Sequence, residues 1–413
     1  MKKEEIENKL KKYNQEQLLN FYEELSQEEQ QKLLEQIENI DFESMKKLYD
    51  LTKTEIDFKA QKIEPMEYLD KSKLSDEELE NYKKLGEDII KQCGLAVVTM
   101  AGGQGTRLGH DGPKGTYDLG LAPHKSIFEI LCDNLKLSFE EYGVKLPWYI
   151  MTSRENDSQT KDFFEKNNYF GYGKENIKFF KQGELPILSK EGKILLSEKG
   201  VVKEAADGHG GVFEALYKNN MYDDMKKKGI KMVFISGVDN VLAKLVDPIF
   251  IGATIANKKE SAGKSVAKAY AEEKVGVYCK KDDKIGMIEY SEITPEMAAA
   301  LDENGEFLYG ESNILCNLFD IKVLDKLSKN KLPYHVAFKK ANYIDNNGNE
   351  VVAKEPNSYK FETFMFDAFE GLDNMLLFRV KREEEFAPVK NKDGVDSPET
   401  ARNLYNNYWN TKK

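Results

Sequence analysis

The chain has 413 residues and a formal net charge of −11, with 32% charged and 40% hydrophobic residues. Its length suits a large core and more than one structural unit, while its acidic balance excludes a general nucleic-acid binder that depends on neutralising phosphates. No apolar run approaches the roughly 18 residues of a membrane-spanning helix, and the first residues lack the apolar segment of a signal peptide. We therefore expect a cytoplasmic protein with neither a nucleic-acid nor a membrane partner.

The cysteines agree with a reducing compartment. Cys93, Cys132, Cys279 and Cys316 are far apart in the sequence and form no Cys-x-x-Cys pair. Neither a zinc site nor a disulfide framework is therefore expected.

The first 90 residues are rich in Glu, Lys and Gln and carry apolar residues at helical spacing. Ser26 and Ser75 are each followed three residues later by Glu, the pattern of a capping box at a helix start. We predict an N-terminal helical extension over residues 1–93. We expect it to serve as a packing or lid-support layer, with binding of a partner as the alternative.

From Leu95 onward, apolar runs alternate with helical patterns, which predicts an α/β fold with a central, doubly wound, mostly parallel sheet. The predicted strands are Leu95–Met100, Trp148–Thr152, Met232–Val238, Val275–Cys279 and Met375–Val380. The predicted helices are Lys125–Tyr142, Asp157–Asn168 and Gly211–Lys228. Residues 94–321 form the expected core, and residues 322–413 complete it and carry a small subdomain with a hairpin at Tyr343–Val352.

The most informative motif is the glycine-rich loop that follows the strand Leu95–Met100. Gly102, Gly103 and Gly105 lack the side chains that keep backbone N–H groups away from an anion. Arg107 and Lys114 add two cations seven residues apart. The loop predicts a site for a phosphate-bearing ligand, a nucleoside triphosphate.

Two commoner glycine motifs do not fit this chain. The dinucleotide fingerprint that starts at Gly103 requires Gly or Ala where the chain has Leu108. The P-loop requires Gly where Lys258 precedes Gly263-Lys264-Ser265. We therefore interpret the Gly-Lys-Ser triplet as an ordinary surface turn.

Two further segments carry polar groups at the ends of predicted elements. In the segment Phe234–Asn240, an apolar strand places Asp239 at its carboxyl end. There Asp239 either holds Mg²⁺ beside a triphosphate or caps the following turn. The second glycine-rich loop, Ala206–Gly211, carries His209, which either points into a cleft or lies exposed.

The motifs together resemble a known family, the eukaryotic-type UDP-N-acetylhexosamine pyrophosphorylases within the wider group of UDP-glucose and UDP-sugar pyrophosphorylases. They occur in the family order over nearly the whole chain, at Ala101–Gly115, Tyr149–Ser153, Asn167–Tyr172, Val238–Gly252, Glu289–Ile293 and Arg382–Asn391. The resemblance implies a nucleotide-diphospho-sugar-transferase-like fold. It also implies a reversible, Mg²⁺-dependent uridylyltransferase, with Mn²⁺ as an alternative, whose substrates and products are UTP, a sugar 1-phosphate, a UDP-sugar and pyrophosphate.

The implied phosphate chemistry needs alignment and positive charge more than a base, because a sugar phosphate is already ionised when it attacks the α-phosphorus of UTP in line. The resemblance assigns Arg107 and Lys114 to the β- and γ-phosphates and Asp239 to Mg²⁺. It assigns Lys390 to the phosphate of the sugar and Lys360 to the nucleotide.

The remaining implied contacts concern the uridine and the sugar. Contacts to the uracil or its ribose are implied for Ala101, Gly102, Gly103 and Gln182, with Gly208 beside the base. Sugar contacts are implied for His209, Glu289, Tyr290 and Asn313, whose polar groups suit sugar hydroxyls.

The chain departs from the family pattern at two points. N-acetylhexosamine enzymes usually carry Asn at the position of His209, whereas glucose-type and broad-specificity members carry His. The segment Ser312–Asn317 has one extra residue, so Asn313 and Asn317 compete for the sugar contact, and we favour Asn313. N-acetylglucosamine or N-acetylgalactosamine 1-phosphate is the preferred sugar, because Arg382–Asn391 and the DPIFIG segment resemble that subgroup.

Several alternatives remain at this point. A UTP–glucose-1-phosphate uridylyltransferase or a broad-specificity UDP-sugar pyrophosphorylase is the alternative within the family. A non-catalytic UDP-sugar sensor is the alternative of another class, disfavoured because Arg107, Lys114, Asp239 and Lys390 are all retained. A NAD-dependent oxidoreductase ranks third. We expect a monomer or a weak homo-oligomer.

Overall fold

The computed structural model describes residues 3–53, 62–372 and 374–412. The chain divides into two compact units, each assembled from segments that are far apart in sequence. The small unit comprises Met1–Asp57, Gly183–Gly211 and Leu332–Phe364, and the large unit comprises Phe58–Gln182, Val212–Lys331 and Met365–Lys413. This division cuts across the three consecutive segments 1–93, 94–321 and 322–413, because long-range strand pairing groups residues that sequence order separates.

The two capping boxes that the sequence predicts among the α-helices, at Ser26 and Ser75, are both formed. The α-helices of the described residues are Lys3–Lys12 (α1), Gln27–Asn39 (α2), Phe42–Leu51 (α3), Asp76–Lys91 (α4), Ile127–Tyr142 (α5), Asp157–Lys166 (α6), Val212–Lys218 (α7), Met221–Lys227 (α8), Pro248–Ala256 (α9), Pro295–Ala299 (α10), Ile321–Lys329 (α11), Arg382–Glu385 (α12) and Pro398–Asn410 (α13). The helix predicted over Gly211–Lys228 is two helices, since Asn220 has a φ of 60° and breaks the run.

The strands of the described residues include all five that the apolar runs predict, two with identical ends and three with ends shifted by one or two residues. They are Ile63–Pro65 (β1), Leu69–Asp70 (β2), Leu95–Met100 (β3), Trp148–Thr152 (β4), Ile177–Lys181 (β5), Glu184–Pro186 (β6), Leu188–Ser189 (β7), Leu196–Glu198 (β8), Val201–Val202 (β9), Glu204–Ala206 (β10), Met232–Gly237 (β11), Ser261–Ala267 (β12), Val277–Lys281 (β13), Lys284–Ile288 (β14), Glu311–Asp320 (β15), His335–Lys339 (β16), Tyr343–Ile344 (β17), Glu350–Val351 (β18), Ser358–Glu362 (β19) and Leu376–Arg379 (β20).

The small unit combines the helices α1–α3 with short antiparallel sheets. Its sheets have the orders β10-β6, β16-β19-β7 and β18-β17-β8-β9. Leu33 and Ile37 of α2 are buried in one apolar cluster with Leu188 and Phe361 from the strands. The predicted hairpin is confirmed by the pairing of β17 with β18, but it belongs to the same unit as the N-terminal helices.

The large unit is built on an 11-stranded sheet whose main path runs β2-β20-β12-β15-β11-β3-β4-β5. Along this path β15 is antiparallel to both of its neighbours, and the other pairings are parallel. The hairpin β13-β14 and the short β1 join through β13. The predicted α/β class with a mostly parallel central sheet is confirmed.

Helices cover both faces of this sheet, as a doubly wound arrangement requires. Leu318 on β15 belongs to a buried cluster that includes residues of α5 and α9. The next residue, Phe319, points to the opposite face, where its ring lies 5.6 Å from that of Phe213 on α7. This alternation explains why the central strands are apolar on both sides.

The carboxyl ends of four adjacent parallel strands meet at one edge of the sheet. In register, Gly237 at the end of β11 lies opposite Met100 at the end of β3, and Met100 lies opposite Met151 of β4. Thr152 then pairs with Lys181 at the end of β5. The loops that follow these strands therefore share one edge, where open α/β sheets bind ligands.

The interpretation of Gly263-Lys264-Ser265 as a surface turn is wrong. The triplet lies within β12, between β15 and β20, and the Lys264 side chain is completely buried. Composition favoured a turn because Gly, Lys and Ser are common at exposed sites. Distant carboxylates make the buried position tolerable, and no local pattern reveals them.

All four cysteines are free, and three of them are buried. Burial raises the pKa of the Cys132 thiol to about 12, so this thiol stays protonated at neutral pH.

Within the residues described, none of the helices combines the length and apolar character that a membrane span needs.

Candidate functional site

The glycine-rich loop after β3 is closed on itself by backbone hydrogen bonds. Gly105 N donates to Gly112 O at 2.8 Å, and Lys114 N donates to Gly103 O at 3.0 Å. A Cβ atom on Gly105 would lie 2.8 Å from the His110 side chain, so this position has no room for a larger residue. The loop is thus a preformed structure that ends with Lys114 beside its starting strand.

Asn156 fastens this loop to the sheet, although sequence analysis did not single it out. Its buried Nδ2 donates to Ala101 O at 2.9 Å and lies 3.4 Å from Gly103 O. Asn before a helix usually indicates an N-cap. Here the side chain makes no cap bond to α6 and contacts the glycine loop instead. The position immediately before α6 was the only available signal.

The backbone of the loop is open at Gly103 and covered at Gly102. A Cβ on Gly103 would meet nothing within 4 Å, whereas a Cβ on Gly102 would lie 2.6 Å from Gln182 Oε1. Gln182 follows β5, and its N–H donates to Thr152 O at 2.8 Å. The structure therefore brings Gln182 and the glycine backbone together, as the predicted uridine contacts require.

Lys114 and Asp239 face each other at the same sheet edge. Lys114 Nζ lies 3.8 Å from Asp239 Oδ2, and the two side chains are 17% and 29% exposed. Arg107 is exposed on the short 3₁₀ turn Thr106–Leu108. A long and partly hydrated ion pair gains little energy, so both charges remain available to an incoming phosphate or cation.

Asp239 is poorly suited to hold a metal ion without help from a ligand. Within the described ranges, no group of three or more His, Cys, Asp or Glu side chains is arranged to bind a metal. Mg²⁺ commonly takes one or two protein carboxylates and completes its shell with water and substrate phosphates. A single carboxylate next to a phosphate-binding loop fits that donor set.

The segment that carries Lys390 is bound directly to the Asp239 backbone. Val389 N donates to Asp239 O at 2.8 Å. The neighbouring Asn240 is 3% exposed, and its Oδ1 accepts from Ala387 N at 2.9 Å. Its Nδ2 donates to the Glu385 carbonyl at 2.7 Å. Asn240 is a second supporting residue that sequence analysis missed, although it directly follows Asp239.

Lys390 is itself partly exposed. Its Nζ lies 3.7 Å from Asp396 Oδ2, and the two side chains are 38% and 26% exposed. As with Lys114, the ion pair is long and partly exposed. Lys390 thus has the accessibility that a phosphate contact needs.

Two of the predicted sugar contacts meet at Gly276. Asn313 N donates to Gly276 O at 2.9 Å, and a Cβ on Gly276 would lie 2.9 Å from Glu289 Oε1. Tyr290 follows Glu289 and is 51% exposed. Asn313 Oδ1 accepts from the Tyr278 hydroxyl at 3.1 Å. The structure therefore groups Glu289 with Asn313 and leaves Tyr290 in solvent.

The extra residue near Asn313 is accommodated by an irregularity in β15. Gly263 pairs with Asn317 and Ser265 with Asn313, so one residue of β12 faces three of β15. Leu315, in the middle of this bulge, has a φ of 54°. Asn317 is completely buried and lies 3.2 Å from the Tyr278 hydroxyl, whereas Asn313 is partly exposed. The exposure supports Asn313 as the residue that a sugar can reach.

The other predicted contacts lie in the small unit. Gly208 has a φ of +89°, and a Cβ there would lie 2.3 Å from Thr363 O, so both backbone conformation and space require glycine. The His209 ring lies 5.3 Å from that of Phe364. Lys360 on β19 forms a 2.7 Å ion pair with Glu362. The roles assigned to Gly208, His209 and Lys360 stay predictions.

Comparison with known proteins gives the same family as the motifs. The family model described as UTP–glucose-1-phosphate uridylyltransferase (UDPGP) matches residues 39–397. The chain is 37% identical to the UDP-N-acetylhexosamine pyrophosphorylase-like protein 1 of Xenopus tropicalis, over 94% of this chain and 80% of that protein. It is 38% identical to the UDP-N-acetylglucosamine pyrophosphorylase of Saccharomyces cerevisiae, over 95% of this chain and 87% of that protein.

A solved structure agrees with these relatives. The uridine diphosphate N-acetylglucosamine pyrophosphorylase of Trypanosoma brucei, crystallised with an inhibitor, is 29% identical and superposes with a TM-score of 0.81. The alignment covers 96% of this chain and 83% of that one. Fold, motif order and sequence similarity thus agree over nearly the full chain, which belongs to the UDPGP family of uridylyltransferases.

Proposed function

We propose that the protein transfers the uridylyl group of UTP to N-acetylglucosamine 1-phosphate, forming UDP-N-acetylglucosamine and pyrophosphate. The observation that carries this proposal is the shared sheet edge of the large unit. There the open backbone of Gly103, the Lys114–Asp239 pair and the segment bearing Lys390 come together. This arrangement provides a cradle for phosphates and separate cations for two anionic reactants.

The chemistry requires no nucleophilic side chain. The phosphate oxygen of the sugar 1-phosphate attacks the α-phosphorus, and the bond from that phosphorus to the pyrophosphate oxygen breaks in line with it. Arg107 and Lys114 would offset the charge of the β- and γ-phosphates, and Lys390 would hold the attacking phosphate. These fixed charges reduce the repulsion between the two anions, which is the main barrier to their alignment.

Asp239 is our proposed protein ligand for Mg²⁺, with Mn²⁺ as an alternative. A divalent cation there would neutralise phosphate charge and orient the triphosphate. The single, partly exposed carboxylate fits a metal that draws its remaining ligands from water and phosphate. The Ala101–Gly103 backbone and Gln182 would contact the uridine.

N-acetylglucosamine is the proposed sugar because the Saccharomyces cerevisiae relative, matched over 95% of this chain, is by name a UDP-N-acetylglucosamine pyrophosphorylase. N-acetylgalactosamine 1-phosphate is the closest alternative. Glucose 1-phosphate remains the second candidate because His209 occupies a position where the N-acetylhexosamine enzymes usually carry Asn. Glu289 and Asn313 would provide the polar contacts to either sugar.

The deciding experiment measures pyrophosphate release with UTP, Mg²⁺ and each of four sugar 1-phosphates: N-acetylglucosamine, N-acetylgalactosamine, glucose and galactose. We expect the highest kcat/KM with N-acetylglucosamine 1-phosphate, and a kcat about 10²- to 10³-fold lower in the Asp239→Ala variant. A preference for glucose 1-phosphate would overturn the sugar assignment alone. Binding of UDP-sugars without exchange of labelled pyrophosphate would overturn catalysis and favour the sensor alternative.

A further inference from the structure

A buried ion-pair cluster lies in the large unit, outside the groups assigned to phosphates and sugar. Lys264 Nζ lies 2.7 Å from Asp247 Oδ2 and forms a short hydrogen bond to Glu385 Oε2. The side chains of these three residues are 0%, 5% and 1% exposed. Lys244 approaches the other Glu385 oxygen at 3.1 Å, and Lys71 lies 3.7 Å from it.

The cluster keeps its charges despite burial. Burial alone would lower the pKa of the Lys264 ammonium, but the charges of Asp247 and Glu385 raise it above its usual value. Burial would likewise raise the pKa of the Glu385 carboxyl, but Lys264 and Lys244 lower it. Because removing charges from water is expensive, a well-packed apolar core of similar volume is often as stable as a buried ion-pair cluster. Stability alone therefore does not explain why the cluster is present.

The three central residues come from three separate segments. Asp247 accepts from Ile249 N at 3.1 Å and from Phe250 N at 3.2 Å, so it caps the start of α9. Lys264 lies in the middle of β12, and Glu385 is the last residue of α12. Lys264 thus connects Glu385, at the end of α12, to strand β12 of the sheet and to the start of α9.

Directly beyond Glu385 the chain enters the segment that ends at Lys390. The Glu385 carbonyl accepts from Asn240 Nδ2 at 2.7 Å, while its carboxylate is held by Lys264 and Lys244. Four residues later, Val389 N donates to Asp239 O. Glu385 is therefore held at its backbone and at its side chain, at the start of a short segment that leads to Lys390.

We propose that Lys264 and Glu385 form a positioning pair, which sets the place of Lys390 relative to Asp239 by fixing the chain between residues 385 and 390. The pair acts through the backbone and touches no reacting atom. The inference rests on the proposed function, because it assumes that Lys390 holds the sugar phosphate. A purely structural pair would affect stability and leave the rate of the folded enzyme unchanged.

The first test is the Glu385→Gln variant, which keeps the side-chain volume and removes the charge. We expect kcat to fall about 10- to 100-fold and the KM for the sugar 1-phosphate to rise, because misplacement of a reacting group by about 1 Å costs about that much. The KM for UTP should stay within about twofold. Hydrogen exchange of the peptide spanning residues 386–391 should accelerate, since the bond from Val389 N to Asp239 O loosens.

The matched control is Glu273→Gln. Glu273 is buried and pairs with Arg382 at the opposite end of the same helix, α12, away from the segment bearing Lys390. This variant should lose thermal stability to a similar degree while kcat changes less than about twofold. If Glu273→Gln and Glu385→Gln lower kcat equally, the positioning role is wrong.

The double variant Lys264→Met/Glu385→Met separates stability from position and guards against poor folding of the single variants. With both charges removed, Asp247 keeps Lys71 and Lys244 as neighbours, so thermal stability should recover toward that of the wild type. Activity should stay low. Recovery of kcat together with stability would overturn the proposal, as would normal kcat in Glu385→Gln. A wild-type enzyme inactive with every sugar 1-phosphate would instead overturn the proposed function.

Discussion

The large unit contains two lysine–aspartate pairs that differ in separation, in solvent exposure and in position within the fold. Lys114 and Asp239 are separated by 3.8 Å and are 17% and 29% exposed. Lys264 and Asp247 are separated by 2.7 Å and are 0% and 5% exposed. In the first pair, Lys114 ends the glycine loop and Asp239 follows the carboxyl end of β11. The second pair joins the middle of β12 to the start of α9.

The difference shows how one pair of residue types serves two purposes. A long, partly exposed pair contributes about 0–1 kcal/mol to stability, so its charges can reorganise around a ligand. A short, dry pair is costly to break, because either charge left alone stays buried without a partner. We therefore propose that separation and exposure distinguish a lysine that is available to a ligand from one that is structural, and substitutions in each pair test that distinction.

The largest effect is expected at the exposed pair. Lys114→Ala and Asp239→Ala should each lower kcat by about 10²- to 10³-fold, because each removes a charge directed at the triphosphate or its metal. The free energy of unfolding should change by less than about 1 kcal/mol. Pyrophosphate release and urea denaturation measure the two quantities. Near-normal turnover in either variant would show that the site is assigned to the wrong residues.

The buried pair should give the opposite result. Lys264→Met leaves two carboxylates facing fewer cations and should lower the free energy of unfolding by about 3–5 kcal/mol. Urea denaturation of this variant beside Lys114→Met gives the matched comparison, because both variants lose a lysine ammonium and gain the same side chain. A loss below about 1 kcal/mol for Lys264→Met would contradict the distinction drawn from burial.

The pH dependence of stability should reflect the buried carboxylates. Burial would raise the pKa of the Asp247 carboxyl, but the charges of Lys264, Lys71 and Lys244 lower it below the usual value. The pKa of the Glu385 carboxyl is likewise lowered, by Lys264 and Lys244. A lowered folded-state pKa contributes stability above the unfolded-state pKa of about 4, and that contribution is lost as the pH falls below it.

The urea midpoint should therefore fall steadily between about pH 5 and pH 3. Asp224 adds to this trend, because its hydrogen bonds to Lys178 and Tyr149 outweigh burial and lower its pKa to about 2. The Asp247→Asn variant should show a shallower decline, since one of the contributing carboxyls is absent. Equal midpoints at both ends of this range would contradict the prediction.

The smallest effect is expected at the glycine loop. A methyl group on Gly102 would lie 2.6 Å from Gln182 Oε1, so Gly102→Ala should displace Gln182 and raise the KM for UTP by up to about tenfold. The kcat should change little. Gly371→Ala is the control, because a Cβ there meets nothing within 4 Å. An unchanged KM in Gly102→Ala would remove Gln182 from the proposed uridine contacts.

Much of the fold could be predicted because its strongest signals are local. Continuous apolar runs such as Leu95–Met100 predict strands that are buried on both faces, and the Ser–Glu pairs at Ser26 and Ser75 predict helix starts. The break at Asn220 escaped prediction because the helical pattern resumes after it, although Asn is one of the few non-glycine residues that adopt a positive φ. The two-unit organisation also escaped prediction, since the strands of the small unit are short and come from distant segments.

The candidate site shows the same division between residues proposed to bind the substrates and residues that support them. Lys114, Asp239 and Lys390 stand out in sequence because motifs mark them. Asn156 and Asn240 do not stand out, although they hold the glycine loop and the segment bearing Lys390 in place. Their function depends on which backbone groups fold against them, and sequence order does not contain that information.

The sequence by itself determined the fold class, the family and the glycine loop proposed to bind phosphate, because these depend on periodicity and on residues close together in the chain. Only the tertiary structure decided which charged groups are buried and which partners they have. Gly263-Lys264-Ser265 had the composition of a surface turn, yet Lys264 is buried between Asp247 and Glu385, which lie 17 residues before it and 121 residues after it. The energy of a charge depends on its solvent exposure and its partners, and folding brings those partners from distant parts of the chain.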